Sequence, residues 1–321
     1  MNKEIITFEN LEMVAKTVFE EVKKIKEGKN ANYIPFLDEI DPELFGLSIV
    51  VHDGRTISLG DVDYVFGVES VSKVFTAILA LKQSGAQKVL RNIGADATGL
   101  PFNSIMAILL ENSHPSTPLV NSGAIATVSM IEPVGDSEAK WEQIVNIFND
   151  LCASEVKLLK DLYESETETN FNNRSIAWLL KRFDRIYDEP EIALDLYTRQ
   201  CSLGVTTEQL AIAAATIAFG GVNPVSKEEV FPKELAPKTT SLMATVGFYE
   251  HTGNWMFESG IPAKTGVGGG IMGVVPGQFG IAAFSPRLDA SGNSVRAQAV
   301  IKRIADALDI NIYDSKKIEI E

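Results

Sequence analysis

The sequence predicts an α/β protein of the α+β type, in which an antiparallel sheet built from both chain ends joins a helical lobe. Two observations carry this prediction. Each end contains a pair of short apolar runs separated by turn residues, and the long segment between the ends has helical periodicity. We therefore expect a single domain over residues 1–321. Its sheet lobe spans about 1–68 and 245–321, and its all-helical lobe spans about 69–244.

Two hairpins are predicted for the sheet. The first has an Asp-Gly turn, a pair typical of tight hairpins in which both turn residues have positive φ. The second has a Pro-Gly-Gln turn. The strands and turns are 47–52 and 55–60 around Asp53-Gly54, and 270–275 and 279–284 around Pro276-Gly277-Gln278.

Helices are predicted in the middle of the chain and at both ends. Amphipathic patterns over 1–24 and 293–308 indicate terminal helices that flank the sheet. The central helices are predicted at 71–82, 141–152, 174–183, 191–201 and 207–219. Helix-stop sequences, Ser84-Gly85 and Gly220-Gly221, follow the first and the last of them.

The charge balance argues against two classes of partner. The chain has 43 acidic and 29 basic residues, a formal net charge of -14. No excess of cations is available to neutralise phosphates, so we expect neither a nucleic-acid partner nor an anionic membrane surface. No apolar stretch reaches the roughly 18 uncharged residues of a transmembrane helix.

The cysteines and the N-terminus predict a cytoplasmic protein. Cys152 and Cys201 are too few for a disulfide framework or a cysteine zinc site. The N-terminal stretch has neither the uninterrupted apolar core nor the small-residue cleavage site of a signal peptide.

Histidine chemistry is not favoured by the sequence. None of His52, His114 and His251 has the spacing of zinc ligands, and their scarcity weakens the case for a Ser-His-Asp triad. We expect no metal or organic cofactor, and a nucleophile here would need a base other than histidine.

An S-x-x-K element, Ser70 with Lys73, opens an apolar helix. Residues three apart lie on one helix face, so the Lys73 amine can lie beside the Ser70 hydroxyl. Burial can lower a lysine pKa until the amine accepts a serine proton. The pattern alone is not specific. It recurs at Ser137 with Lys140 and at Ser154 with Lys157, where a surface helix is the plain interpretation.

Two further elements follow downstream. Lys264-Thr265-Gly266 precedes a glycine-rich segment and an apolar strand. S-x-x-K followed by K-T-G is the chain order of penicillin-recognising serine enzymes, although a glycine-rich hairpin start is the alternative interpretation. Asn121-Ser122-Gly123 can be a helix cap or the middle motif of such enzymes, but the literal S-D-N triplet is absent.

Together these residues resemble the serine-dependent glutaminase family over nearly the whole chain. The resemblance implies a β-lactamase/DD-peptidase-like fold and hydrolysis of L-glutamine to L-glutamate and ammonia. It also implies a homodimer or homotetramer. The matching blocks lie in order at 32–35, 70–73, 99–104, 120–124, 165–166 with Asn173, 196–197, 201–202, 247–249, 262–267 and 285–295.

The resemblance also implies residue roles. Ser70 is the acylated nucleophile and Lys73 its base, with Tyr249 the proton relay. The backbone N–H groups of Ser70 and Val267 form the oxyanion hole. The remaining predicted substrate-binding residues are Tyr33, Asn121, Glu166, Asn173 and Tyr197.

Three departures from the family pattern affect the expected site. Glu69 stands before the nucleophile, where Gln is usual. An acid there could pair with a cation, weaken binding of the substrate carboxylate or change the Lys73 pKa. Ser122 replaces the common Ala, and the loop after Glu166 lacks the usual Gly-Asp-Arg-Asn ending. These changes bear on rate and selectivity more than on reaction class. Taken in isolation, Glu166 would be interpreted as part of a solvated acidic helix face.

Alternatives to a glutaminase remain open at this point. One is another serine hydrolase of the same fold, of the β-lactamase, DD-peptidase or esterase type. Another is a catalytically silent amino-acid-binding protein, which Glu69 makes conceivable. A cysteine hydrolase has little support, because neither Cys152 nor Cys201 has a histidine near it in the sequence.

Overall fold

The computed structural model describes residues 6–111 and 113–314 and contains two antiparallel sheets. The larger has the strand order β2-β1-β8-β7-β6, and the smaller has the order β3-β5-β4. The strands are β1 (Gly46–Val51), β2 (Thr56–Gly60), β3 (Phe66–Gly67), β4 (Lys157–Leu158), β5 (Leu203–Val205), β6 (Ala263–Thr265), β7 (Gly270–Val275) and β8 (Phe279–Phe284).

The α-helices of the described residues occupy the middle of the chain and flank the larger sheet. They are α1 (Phe8–Val22), α2 (Pro35–Asp38), α3 (Ser72–Ser84), α4 (Ala86–Asn92), α5 (Ile105–Leu110), α6 (Asn121–Ser129), α7 (Ser137–Cys152), α8 (Lys160–Thr169), α9 (Phe171–Arg182), α10 (Pro190–Cys201), α11 (Thr207–Ala218), α12 (Ala236–Val246), α13 (Thr252–Ser259) and α14 (Val295–Ala307). Short 3₁₀ helices span Glu69–Val71, Lys233–Leu235 and Tyr249–His251. None of these helices is both long enough and apolar enough to cross a bilayer.

Both predicted hairpins are confirmed, as the antiparallel pairs β1–β2 and β7–β8. The turn of the first differs from the prediction. Gly54 has φ +92°, but Asp53 does not have positive φ. The Gly54 N–H donates to the Val51 carbonyl and the Val51 N–H to the Arg55 carbonyl. The loop is therefore one residue longer than a two-residue turn, and only its last position needs glycine.

The larger sheet is buried on both faces. Alternate residues of β1, such as Leu47 and Ile49, belong to the core formed with α1 and α14, whereas Val50 belongs to the core on the α11 side. Helix α11 packs closely on the sheet because Gly280 has no side chain. A Cβ there would lie 2.1 Å from the Ala215 nitrogen. Helices α1 and α14, predicted at 1–24 and 293–308, flank the sheet as expected, and the part of the first prediction over 1–5 lies outside the described residues.

The predicted helical lobe is wrong in one respect, because it is not purely helical. It contains β4 and β5, which pair with each other, and β5 also pairs with β3 from the preceding segment. Helix α11, assigned to the same lobe from sequence, packs on the larger sheet. The central helix α3 is buried over Ser72–Leu81 and packs against α6 and α7. The start of α3 therefore lies where the two sheets and the helices meet.

The two other S-x-x-K matches are not surface helices, contrary to the prediction. Lys140 lies on α7 but is fully buried, with its Nζ 2.5 Å from an Asp188 carboxylate oxygen. Ser154 and Lys157 lie in a bend and in β4, outside any helix.

Candidate active site

The Ser70 hydroxyl lies at the start of α3 and directly contacts Lys73. The strand β3 leads into the 3₁₀ turn that carries Ser70, and Lys73 lies one helical turn later. The Lys73 Nζ donates to the Ser70 Oγ at 2.6 Å and to the Asn121 Oδ1 at 2.9 Å. The Asn121 Nδ2 in turn donates to the Asn173 Oδ1 at 2.8 Å. One continuous hydrogen-bonded chain thus joins four of the predicted site residues.

Lys73 lies in an environment that favours its neutral form. The side chain is fully buried and forms no ion pair with any carboxylate of the described residues. Its Nζ lies 5.5 Å from the centroid of the Tyr197 ring. Burial lowers the pKa of Lys73 to about 8, against the opposing effects of Cys201 and Glu69. About a tenth of this amine is therefore unprotonated at pH 7.

The K-T-G segment approaches the Ser70 backbone closely. The Gly269 N–H donates to the Gly266 carbonyl, which closes a turn whose first central residue is Val267. A Cβ on Gly266 would lie 3.3 Å from the Ser70 nitrogen, and one on Gly268 only 2.4 Å from the Gly67 oxygen. A side chain at position 268 would therefore clash with the Gly67 backbone and one at position 266 would be crowded, so small residues here let Val267 and Ser70 line the same cavity.

Tyr249 and Lys264 are packed together beneath the site. Tyr249 is buried with φ +55°, a conformation that is uncommon for a bulky residue and is often found at functional sites. The Lys264 Nζ lies 4.5 Å from the Tyr249 ring centroid and donates to the Thr265 carbonyl. Burial raises the pKa of Tyr249 well above its usual value, while the nearby Ser70 hydroxyl lowers it. Burial, followed by the effect of Lys73, lowers the pKa of Lys264 well below its usual value.

A cavity of about 490 Å³ opens over these residues. Lys73 and Tyr249 lie behind its wall, where they contact the lining residues Asn121 and Phe102. Tyr33, 58% exposed, lies at the mouth. The predicted site residues that line the cavity are Tyr33, Ser70, Asn121, Glu166, Asn173, Tyr197 and Val267.

Glu69 and Glu166 give this cavity an acidic wall. Glu69 is 4% exposed, has φ +47°, and holds a buried Oε1 without a hydrogen-bond partner among the described residues. Burial and the neighbouring Glu166 raise the pKa of Glu69 well above its usual value. Burial also raises the pKa of Glu166. The interpretation of Glu166 as a solvated helix face is therefore wrong, and Glu69 forms no ion pair with a cation of the described residues.

Two binding-site features were not predicted as such. Glu69 was singled out only as a departure, and no local pattern in the sequence places it beside Glu166. Cys201 also lines the cavity, but burial raises the pKa of its thiol to about 12, which makes it a poor nucleophile. Within residues 6–111 and 113–314, no three His, Cys, Asp or Glu side chains are grouped as metal ligands would be.

The fold and the site together define a class of protein. An antiparallel sheet flanked by terminal helices, with a buried Ser–Lys pair at the start of a central helix and K-T-G on the edge strand, is the arrangement of the β-lactamase-like fold.

Comparison with known proteins identifies the family within that class. A family model described as Glutaminase matches residues 28–313. A glutaminase of Bacteroides fragilis (strain YCH46) is 62% identical over 315 residues, 98% of each chain. The solved structure of the probable glutaminase ybaS superposes with a TM-score of 0.94 at 43% identity, covering 96% of this chain and 100% of that one. The solved structure of Mglu in its glutamate form superposes with a TM-score of 0.89 at 32% identity. The superposition covers 94% of this chain and 69% of that one. The chain belongs to the glutaminase family of amidohydrolases.

Proposed function

We propose that this chain hydrolyses L-glutamine to L-glutamate and ammonia through an acyl-enzyme formed on Ser70. The observation that carries the mechanism is the buried Lys73 amine, 2.6 Å from the Ser70 hydroxyl and without a carboxylate partner among the described residues. Family membership supports the substrate. In addition, Mglu, which is 32% identical, has been solved in an L-glutamate binding form.

The proposed acylation begins when the neutral Lys73 amine accepts the Ser70 proton. The Ser70 Oγ then bonds to the side-chain amide carbon of glutamine. The resulting oxyanion accepts hydrogen bonds from the backbone N–H groups of Ser70 and Val267, each worth about 3–4 kcal/mol in comparable sites. The proton on Lys73 passes through the Tyr249 hydroxyl to the leaving nitrogen, the C–N bond breaks, and ammonia departs. Water then adds to the ester with Lys73 again as base, which releases glutamate and restores the Ser70 hydroxyl.

The cavity matches a free amino acid in size and in polarity. Its volume of about 490 Å³ suits a small molecule. In the proposal Glu166 pairs with the substrate ammonium, while the neutral groups of Tyr33, Asn173 and Tyr197 hold the carboxylate. Asn121 bridges Lys73 and Asn173, so it links the base to the groups that hold the amino-acid end.

The test compares two serines that occur in the same motif. Ser70→Ala should reduce ammonia release from glutamine by at least about 10⁴-fold, because it removes the hydroxyl that Lys73 activates. Ser137→Ala is the matched control and should keep wild-type turnover, because Ser137 makes no contact with the cavity. Circular dichroism checks that both variants fold. Substantial turnover by folded Ser70→Ala would refute the mechanism.

Two rival functions give different results with the wild-type enzyme. A β-lactamase, DD-peptidase or esterase would hydrolyse nitrocefin or a simple ester without turning over glutamine. A silent binding protein would bind glutamine in calorimetry without releasing ammonia. Neither rival has a specific observation in its favour.

Self-association and a cytoplasmic location also belong to the proposal. Exposed apolar side chains lie on two helices in contact, α5 and α9, and surfaces of this kind are often buried in oligomers. They are Met106, Leu109, Leu110, Phe171 and Trp178. Light scattering should give the mass of a dimer or tetramer. The unpaired, buried Cys152 and Cys201 fit a reducing compartment.

A further inference from the structure

Two carboxyl groups, those of Glu69 and Glu166, face the same cavity without a cation to neutralise them. The Glu69 side chain is nine-tenths buried, and its Oε1 has no partner among the described residues. Two features of the structure restrict where this side chain can lie. The backbone is held at φ +47°, and a Cβ on Gly268 would lie only 3.1 Å from the Glu69 Cγ. The Glu69 side chain thus packs directly against the backbone of Gly268, and both Glu69 and Glu166 line the cavity.

Among the described residues, the cation near this pair is Lys73, and its ammonium already donates hydrogen bonds to other groups. Lys73 donates to Ser70 and Asn121 instead of to a carboxylate. The other titratable groups that face the pair are neutral or acidic. They are Tyr33, Tyr197, Cys201, Tyr249 and, at the mouth of the cavity, Glu250.

Two carboxylates in one partly desolvated cavity disfavour each other's ionised form, which favours retention of a proton by the pair. The directions of the two pKa shifts agree with this, because burial raises both and Glu166 further raises that of Glu69. A glutamine in the same position, the residue usual in the family, could not hold such a proton.

We infer that Glu69 and Glu166 together bind the primary ammonium of the substrate, and that its binding displaces the proton they share in the empty enzyme. The inference rests on the proposed function, because it takes glutamine as the ligand. The proton leaves to solvent as the ammonium forms hydrogen bonds to both carboxylates, so one positive charge replaces another. Glu69 thus acts as a specificity-determining residue that makes substrate affinity depend on pH.

The sign of this dependence follows from competition. As pH falls, protons occupy the pair more fully and substrate must displace them. The Kd for glutamine should therefore rise up to tenfold for each pH unit below the apparent pKa of the pair. Replacing Glu69 by glutamine removes the shared proton. The Kd for glutamine should then be nearly independent of pH between pH 6 and 7.5.

The experiment is calorimetry of L-glutamine binding to Ser70→Ala, which prevents turnover. Titrations at pH 7 in phosphate and in HEPES give the number of protons released, because the two buffers differ in ionisation enthalpy and neither contains a primary ammonium. We expect about one proton per glutamine bound for Ser70→Ala and close to none for Ser70→Ala with Glu69→Gln. Ser70→Ala with Glu250→Gln is the matched control. It removes another cavity carboxylate, on the exposed rim, and should still release the proton.

The outcomes separate this inference from the proposed function. If glutamine binds without proton release, or if Glu69→Gln releases as many protons as its parent, the inference is overturned while the glutaminase proposal stands. If wild-type enzyme releases no ammonia and Ser70→Ala binds no glutamine, the proposed function fails first. A second readout is the pH dependence of KM, compared between the wild-type enzyme and the single variant Glu69→Gln. It does not depend on the folding of the double variants.

Discussion

Two serine–lysine pairs in this chain have the same spacing and equally buried lysines, but the two lysines have different surroundings. Lys73 and Lys140 both follow a serine by three residues on a helix, and both are fully buried. Lys140 meets the Asp188 carboxylate at 2.5 Å and the Ser129 carbonyl at 2.9 Å. Lys73 meets a hydroxyl and an amide oxygen instead. The comparison teaches that the partner of a buried lysine, more than the motif, decides whether it stabilises the fold or can act as a base.

The largest expected effect is on turnover when each lysine is replaced by methionine. Lys73→Met should lower kcat by at least about 10³-fold, because Ser70 then loses its general base. Lys140→Met should change kcat per folded molecule less than twofold, although it leaves Asp188 buried and unpaired. An ammonia assay on folded fractions measures both. If kcat fell by a comparable factor in both variants, the two lysines would not differ in their role in turnover.

Removing the carboxylate from the structural pair should affect stability instead. Asp188→Ala leaves the Lys140 charge buried and uncompensated, which costs about 3–5 kcal/mol in comparable pairs. Urea denaturation gives the free energy of unfolding. The exposed pair of Lys16 with Glu12 supplies the control, because Glu12→Ala should leave the denaturation midpoint nearly unchanged. Equal midpoints for Asp188→Ala and wild type would show that the buried pair is not needed for stability.

The smallest expected effect is a change in rate with pH. Lys73 must be neutral to accept a proton, and its pKa is about 8. Below this value the protonated form dominates, so kcat should fall about tenfold for each pH unit as pH decreases. Above pH 8 kcat should level off. Stopped ammonia assays from pH 6 to 9 measure the profile, and a flat profile would contradict Lys73 as the base.

Local patterns account for much of the fold. Both hairpins are predictable because short apolar runs meet strong turn sequences, and β7 and β8 have the predicted bounds. The burial of Lys140 was also encoded, since it lies four residues before the buried Ile144 on the core face of α7. Its charge made a surface position look natural. Burial of the Lys140 charge could not be predicted without its partner Asp188, which comes from another segment of the chain.

The site depends even more on contacts between segments that are distant in the sequence. The family pattern identifies Ser70, Lys73 and the residues of the cavity wall, because each lies in a recognisable block. Glu69 and Glu166 come from segments far apart in the chain, and they line one cavity because α8 packs beside β3. No spacing rule connects such positions, so the acidic pair emerges only in three dimensions.

The glycines of the K-T-G turn have a consequence for assembly of the enzyme. Gly266 and Gly268 lie against the Gly67–Ser70 backbone, from which they are separated by the entire helical lobe. In the proposed mechanism the two oxyanion donors, the N–H groups of Ser70 and Val267, become neighbours only after β6, β7 and β8 have joined β1, and contacts between such distant segments form slowly. Folding of the helical lobe alone would leave Ser70 without Val267. Recovery of hydrolysis during refolding would then report on closure of the larger sheet.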